Sequence, residues 1–302
     1  MEGSLFRTNY NEGVSTLLVW LVFASTIMAT CINLLLLLLL LRLRSSWHLF
    51  SFQLILVLTC IDLSSCFNSL MMCIVRAIIG YPQVFRVGWY CSLFGLGIVY
   101  FSCMSGVVVS MMALERYCLV CHRRPLSRRY TWAGLATVAV LLAIPMVLNA
   151  LERGHTSDPT HTFCWAHGSK YSTIQGYFTT FMLALPLFVL AFCYISIFVT
   201  CLSRGIQRND HYSRKASIRA LIFMAFYLTI YIPNFILTII ERFYDLNKAH
   251  IALLVMGPAF LTLTTSTNPI LALILHRKIK EEVISLLYKR NSLNKVPGAI
   301  RL

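Results

Sequence analysis

Residues 91–117 read CSLFGLGIVYFSCMSGVVVSMMALERY, an apolar run opened by a cysteine and closed by an acid, an arginine and a tyrosine. Hydrocarbon offers no partner for free backbone N–H and C=O groups, so a run of this length and apolarity is a helix rather than an exposed strand. A bilayer core is about 30 Å thick and takes roughly 20 helical residues to cross. Cys91 and Arg116 are 25 residues apart. At about 1.5 Å per residue they stand roughly 37 Å apart along the axis, the cysteine at one membrane face and the arginine at the other.

Working outward from this run, six further apolar blocks flank it, giving seven spans at 14–41, 49–79, 91–121, 131–151, 172–203, 216–240 and 249–275. The third and fifth exceed what a crossing needs, which predicts tilt or protrusion. The 302 residues are 58% hydrophobic and 12% charged. Soluble domains carry about a quarter charged residues, so an ordinary soluble enzyme is excluded. The net charge of +15 raises a nucleic-acid binder, but such proteins display basic residues on folded soluble surfaces. Here the basic residues sit between apolar blocks. With the N-terminus outside, Arg7, Arg76, Arg86, Arg153, Lys170, Arg242 and Lys248 lie outside, and the remaining 19 of 26 Lys and Arg lie inside. Basic loops mark the cytoplasmic side, so this orientation is expected, with the C-terminus inside. The first 13 residues lack a basic n-region and the next block is too long for a signal core, so that block is retained as a span. After the seventh span, residues 276–290 place Ile279, Val283, Leu286 and Leu287 on one face, an amphipathic helix on the inner surface. The expected fold is an all-α membrane protein: a seven-transmembrane helix bundle with a short amphipathic eighth helix. Residues 1–290 form one domain and 291–302 a short cytoplasmic tail.

Three constellations carry chemistry. Of eleven cysteines, Cys91 and Cys164 alone fall at or near the outer surface. An oxidising compartment favours a disulfide between them, two free thiols being the alternative. Glu115, Arg116 and Tyr117 end the third span, where an arginine either snorkels to headgroups or serves a function. Asp62 is the one acid deep in the membrane. A carboxylate there is costly unless partnered or facing a polar cavity, and functional use is its default reading. The candidate partners are Asn33, Ser105, Thr264, Thr265 and Asn268, and such oxygens suit a hard cation or ordered water. The alternative is a protonated packing residue. Pro145, Pro186, Pro233 and Pro269 interrupt spans, each freeing a backbone carbonyl.

Taken together these residues resemble the rhodopsin-like (class A) G-protein-coupled receptors over nearly the whole chain. Asn33 is similar to that family's helix-one asparagine and Asp62 to its helix-two aspartate. Cys91 and Cys164 match its outer disulfide, and Glu115-Arg116-Tyr117 its acid-Arg-Tyr motif. Pro186 and Tyr194 match its helix-five pair, Pro233 its helix-six proline, and Asn268-Pro269 its helix-seven motif. The chain departs from the family at Tyr231 and Tyr227, where relatives usually carry Trp and Phe. It departs again at Ala272, where the helix-seven motif normally ends in Tyr, and at the inner end of helix six, where the position, near Ser213, whose acid pairs with the arginine in relatives holds no acid.

The resemblance implies a plasma-membrane receptor without enzymatic activity that binds an extracellular small-molecule or lipid-like ligand and activates a heterotrimeric G protein. It implies a coupling surface at Glu115, Arg116, Tyr117 and Tyr194. Tyr227, Tyr231, Pro233, Asn268 and Pro269 would form the conformational switch. An allosteric sodium ion is implied at Asp62, Ser105, Thr265 and Asn268. Retinal would need a helix-seven lysine where this chain has Thr262, and biogenic amines an aspartate where it has Ile98, so a non-opsin, non-aminergic member is expected. The implied ligand pocket is lined by Met72, Arg76, Ile98, Val99, Ser102, Phe178, Met182, Asn234, Phe235, Thr238, Pro258 and Thr262. That lining is apolar with a few hydroxyl and amide groups, as small-molecule sites generally are. Arg76 could grip a carboxylate or reach headgroups instead. Membrane lipids are expected partners and nucleic acid is not. The competing readings are a receptor-like scavenger without G-protein coupling, favoured by Ala272 and Tyr231, and a transporter or channel, which would need more polar groups in the deep membrane than Asp62 supplies.

Overall fold

The computed structural model describes residues 12–43, 47–79, 88–157, 164–166, 170–208, 222, 225–233, 235–236, 239, 263–271 and 279. In chain order these form α1 (Glu12–Arg42), α2 (Phe50–Ile79), α3 (Gly88–Tyr117) with a π turn at Cys118–His122, and α4 (Arg128–Leu151). There follow β1 (His155–Ser157), β2 (Cys164–Ala166) and α5 (Lys170–Arg208). Residues 225–233 and 263–271 are helical and are labelled α6 and α7.

The helices are apolar on all sides, the pattern of elements that pack inward on each other and outward on lipid. In α1, Leu36, Leu39 and Leu40 are buried while Leu34, Leu35 and Leu38 face outward. The same residue type thus serves both environments. Over its most apolar stretch α3 is 72% buried and α4 only 22%, so α3 is the central post and α4 lies at the periphery. α3 packs against α2, α4 and α5, and α1 against α2. A continuous core runs from Leu36 and Leu40 through Val108 and Met112 to Leu190, Tyr194, Tyr227 and Leu271. Ile279 also joins it; the other residues of the expected amphipathic helix and of the tail lie outside the described residues.

α5 reaches Arg208, past the end of its apolar block, and α4 gains a first turn through the Thr131 N–H and hydroxyl, both donating to the Ser127 carbonyl (3.1 and 2.9 Å). The inner end of α3 widens into the π turn and stops at Arg123 in the left-handed region (φ 56°). In a π turn residues five apart share a face, and Tyr117 and His122 meet there. Their hydroxyl and Nε2 are 3.0 Å apart and their rings are edge to face.

α4 ends in a paired-bond cap. The Gly154 N–H donates to the Asn149 carbonyl and the Arg153 N–H to that of Ala150, with Arg153 at φ 54°, a position that glycine usually fills. This cap turns the chain into the β1–β2 hairpin, in which His155 pairs with Ala166 and Ser157 with Cys164 in antiparallel register. The hairpin is the departure from an all-helical reading among the described residues. Its strands are three residues long, too short for a periodicity that sequence could reveal, and they rest on α3.

Candidate functional site

Midway through the bundle, four helices are joined by one polar seam. The Ser105 hydroxyl donates to Asp62 Oδ1 (3.0 Å), and Asn268 Nδ2 donates to Asp62 Oδ2 (2.9 Å) and to Ser105 Oγ (2.9 Å). Both carboxylate oxygens are thereby satisfied, as burial of a carboxylate at 1% exposure demands. From α6 the Tyr227 hydroxyl donates to Asn268 Oδ1 (3.1 Å), with the Tyr231 hydroxyl 3.3 Å from it. The two tyrosine rings are one turn apart and stacked, with centroids 4.6 Å apart and planes at 13°. Of the partners expected for Asp62, Ser105 and Asn268 are brought together. Thr265 instead gives its carbonyl to Asn33 Nδ2 (2.8 Å) and sets its side chain beside Cys66. Asn33 Oδ1 is buried with no donor among the described residues.

At the inner end, Glu115 is buried and accepts from the Ser51 hydroxyl of α2 (2.8 Å). Arg116 is half-buried, and Tyr194 of α5, 4% exposed, is within electrostatic reach of it. The Tyr117 ring packs on Phe192 (centroids 5.4 Å). Of the four residues read as a coupling surface, Arg116, Tyr117 and Tyr194 lie where α3 and α5 meet, while Glu115 faces α2. Trp132 meets Phe50 edge to face, and the Arg128 guanidinium donates to the His48 carbonyl, fastening α4 to the start of α2.

At the outer end, Cys91 and Cys164 form a disulfide with Cα atoms 5.0 Å apart. Beneath the hairpin lies a second polar network that sequence reasoning missed. Asn149 Nδ2 donates to Gln175 Oε1 (2.7 Å), and the Ser172 hydroxyl lies 2.8 Å from both Asn149 Oδ1 and the Gly154 carbonyl. The His155 ring stands 3.3 Å from Gln175 Nε2 and 3.4 Å from Asn149 Nδ2. All four side chains are buried. Burial pushes the His155 imidazole down to about 4, so it is neutral at ordinary pH. Gly95 makes this seat possible, since a β-carbon there would meet His155 Cδ2 at 2.8 Å and the Cys164 carbonyl at 3.0 Å. The available signal was three amide and hydroxyl residues inside or beside apolar blocks, positions where an unpartnered polar group is expensive.

Among the expected lining residues, Met72, Ile98, Val99 and Met182 are buried in the packed core, while Ser102, Phe178 and Phe235 are half-buried. Asn234, Thr238, Pro258 and Thr262 lie outside the described residues, as does Ala272. Arg76 is 8% exposed, with Tyr90 and Cys73 in electrostatic range, so it faces the bundle rather than the headgroups. A cavity of about 580 Å³ lies instead between α2 and α3, bordered by Leu63, Ser64, Phe67, Asn68, Met71, Leu93, Phe94 and Phe101. None of the expected lining residues that are described borders it.

The sequence model of the 7 transmembrane receptor (rhodopsin family) matches residues 32–271. The chain belongs to the rhodopsin family of seven-transmembrane receptors. It is therefore a multi-pass membrane receptor of class A and not an enzyme, and heterotrimeric G proteins and extracellular ligands are the partners of this family in general. The crystal structure of squid rhodopsin superposes on the receptor with a TM-score of 0.68 at 15% identity, covering 92% of this chain and 88% of that one, a likeness of fold. No curated protein sequence matches it.

Proposed function

We propose that this receptor stands in the plasma membrane with its N-terminus outside, binds an apolar or weakly polar ligand from that side, and activates a heterotrimeric G protein inside. The observation that carries this reading is the seam of Asp62, Ser105, Asn268 and Tyr227, which ties α6 and α7 to α2 and α3 above Arg116. A ligand that prefers one arrangement of the seam shifts the bundle's populations, and only that preference can do so. Outward motion of helices six and five about Pro233 and Pro186 would open Arg116, Tyr117 and Tyr194 to the G protein. The basic inner surface suits the acidic leaflet and an acidic partner.

Thr262 and Ile98 argue against retinal and against cationic amines. The seam's donor set fits a hard monovalent cation, because the Asp62 carboxylate and the Ser105 hydroxyl both present oxygens. Bound there, sodium would neutralise the carboxylate. In its absence Asn268 and Ser105 hold the carboxylate through their own N–H and O–H groups.

Nucleotide exchange on a panel of G-protein alpha subunits, with the receptor in lipid vesicles, tests the reading. Exchange above an Arg116→Ala control is the expected result. No exchange with or without apolar ligands would favour the scavenger instead, and solute or ion flux across the same vesicles would favour a transporter.

A further inference from the structure

Tyr227 does something that the residue usual at its position, phenylalanine, has no atom to do. Its hydroxyl is the donor that satisfies Asn268 Oδ1, while the amide nitrogen of the same asparagine donates to Asp62 and Ser105. Asn268 is therefore used at both ends, as acceptor toward α6 and as donor toward α2 and α3. The ring is 2% exposed and held in place by stacking on Tyr231. The interstice bordered by Tyr227, Ile230, Tyr231, Thr264, Thr267 and Asn268 is too small to admit a water molecule. With the Tyr227 hydroxyl in place, no water shares the Asn268 amide oxygen from this interstice. An amide oxygen buried without a donor raises the free energy of the state that buries it.

We propose that Tyr227 is a positioning residue whose hydroxyl latches helix six to the Asp62–Asn268 centre and holds the bundle in its closed arrangement. The proposal rests on the reading that helix-six motion opens the Arg116 surface, and deepens it by naming what restrains that motion. Because Asn268 serves both sides, the coupling is reciprocal: whatever changes the charge or partners of Asp62 changes the grip on helix six, and the reverse.

The test is Tyr227→Phe, which removes one oxygen and keeps the ring and its packing. Distances between spin labels at the inner ends of helices four and six are read in vesicles. The labels are attached through keto side chains, so the native cysteines are untouched. The variant should raise the ratio of open to closed receptor about fivefold, the worth of one net hydrogen bond, and basal nucleotide exchange should rise in proportion. In an Asn268→Ala background the same substitution should add nothing, since its partner atom is gone. Distance distributions that are identical in the wild type and Tyr227→Phe overturn the latch. A fivefold shift in the open-to-closed ratio without nucleotide exchange supports the latch and sinks G-protein coupling, so the two ideas fail separately.

Discussion

The protein carries two buried polar networks, and they are built for opposite purposes. The outer one joins Asn149, His155, Ser172 and Gln175, residues no more than 26 positions apart, and lies beside a disulfide that pins the hairpin to α3. The inner one joins Asp62, Ser105, Asn268 and Tyr227, with separations of 41 to 206 positions and no covalent link. Local connections closed by a covalent bond resist rearrangement. Side-chain tips reaching between distant helices can exchange partners while each helix stays intact. The outer network fixes the shape of the hairpin end of the bundle, and the inner one is where two arrangements can compete.

This contrast can be broken by experiment, starting with the largest effect. Cys91→Ser with Cys164→Ser should cost roughly 2–5 kcal/mol of stability, as loss of a native disulfide usually does. The drop is read as a thermal shift in detergent, and an unchanged midpoint would remove the covalent half of the clamp. Acidification acts on the outer network through His155. Its folded pKa of about 4 lies below the unfolded value near 6.5. The stabilisation is therefore complete above pH 6.5 and is lost as pH falls toward 4, by at most roughly 3 kcal/mol. Melting curves between pH 7 and 4.5 should show this loss, and His155→Gln should flatten it. Asn149→Ala strands the groups that Asn149 partners in Ser172, Gln175 and His155 and should cost about 2 kcal/mol, with little change in basal signalling.

The inner network predicts the reverse pattern. Asp62→Asn replaces an acceptor that receives hydrogen bonds at both oxygens with one that is half donor, weakening the seam by about 1 kcal/mol. The midpoint should move little, while the open-to-closed ratio from label distances should move clearly. A large midpoint loss with no shift in that ratio would make the seam a structural anchor like the outer clamp. The smallest effect belongs to Arg153→Gly, which relieves a left-handed residue at the end of α4 and should stabilise the outer end by about 1 kcal/mol.

The fold was legible because a bilayer leaves so few choices. Apolar blocks of this length can only be helices, and the central run from Cys91 to Arg116 carries the marks of both membrane faces. Asp62 announced itself, since an acid at that depth has to be accounted for. Asn149 and Gln175 did not: an amide near the end of a span resembles any interfacial polar residue until its partner is seen. The hairpin was illegible for a plainer reason, because three-residue strands show no alternation to read.

By itself the sequence determined that the chain spans a membrane repeatedly, that Cys91 and Cys164 share a face, and that Asp62 needs partners. All of these follow from the cost of placing a given group in hydrocarbon or water, a property of each residue alone. Only the tertiary structure decided that Ser105 and Asn268 are those partners, that Tyr227 reaches the same asparagine from another helix, and that His155 is buried neutral beneath a hairpin. These depend on which helix faces which and at what height. Packing sets that geometry to within a fraction of an ångström, and no local pattern in the sequence encodes it.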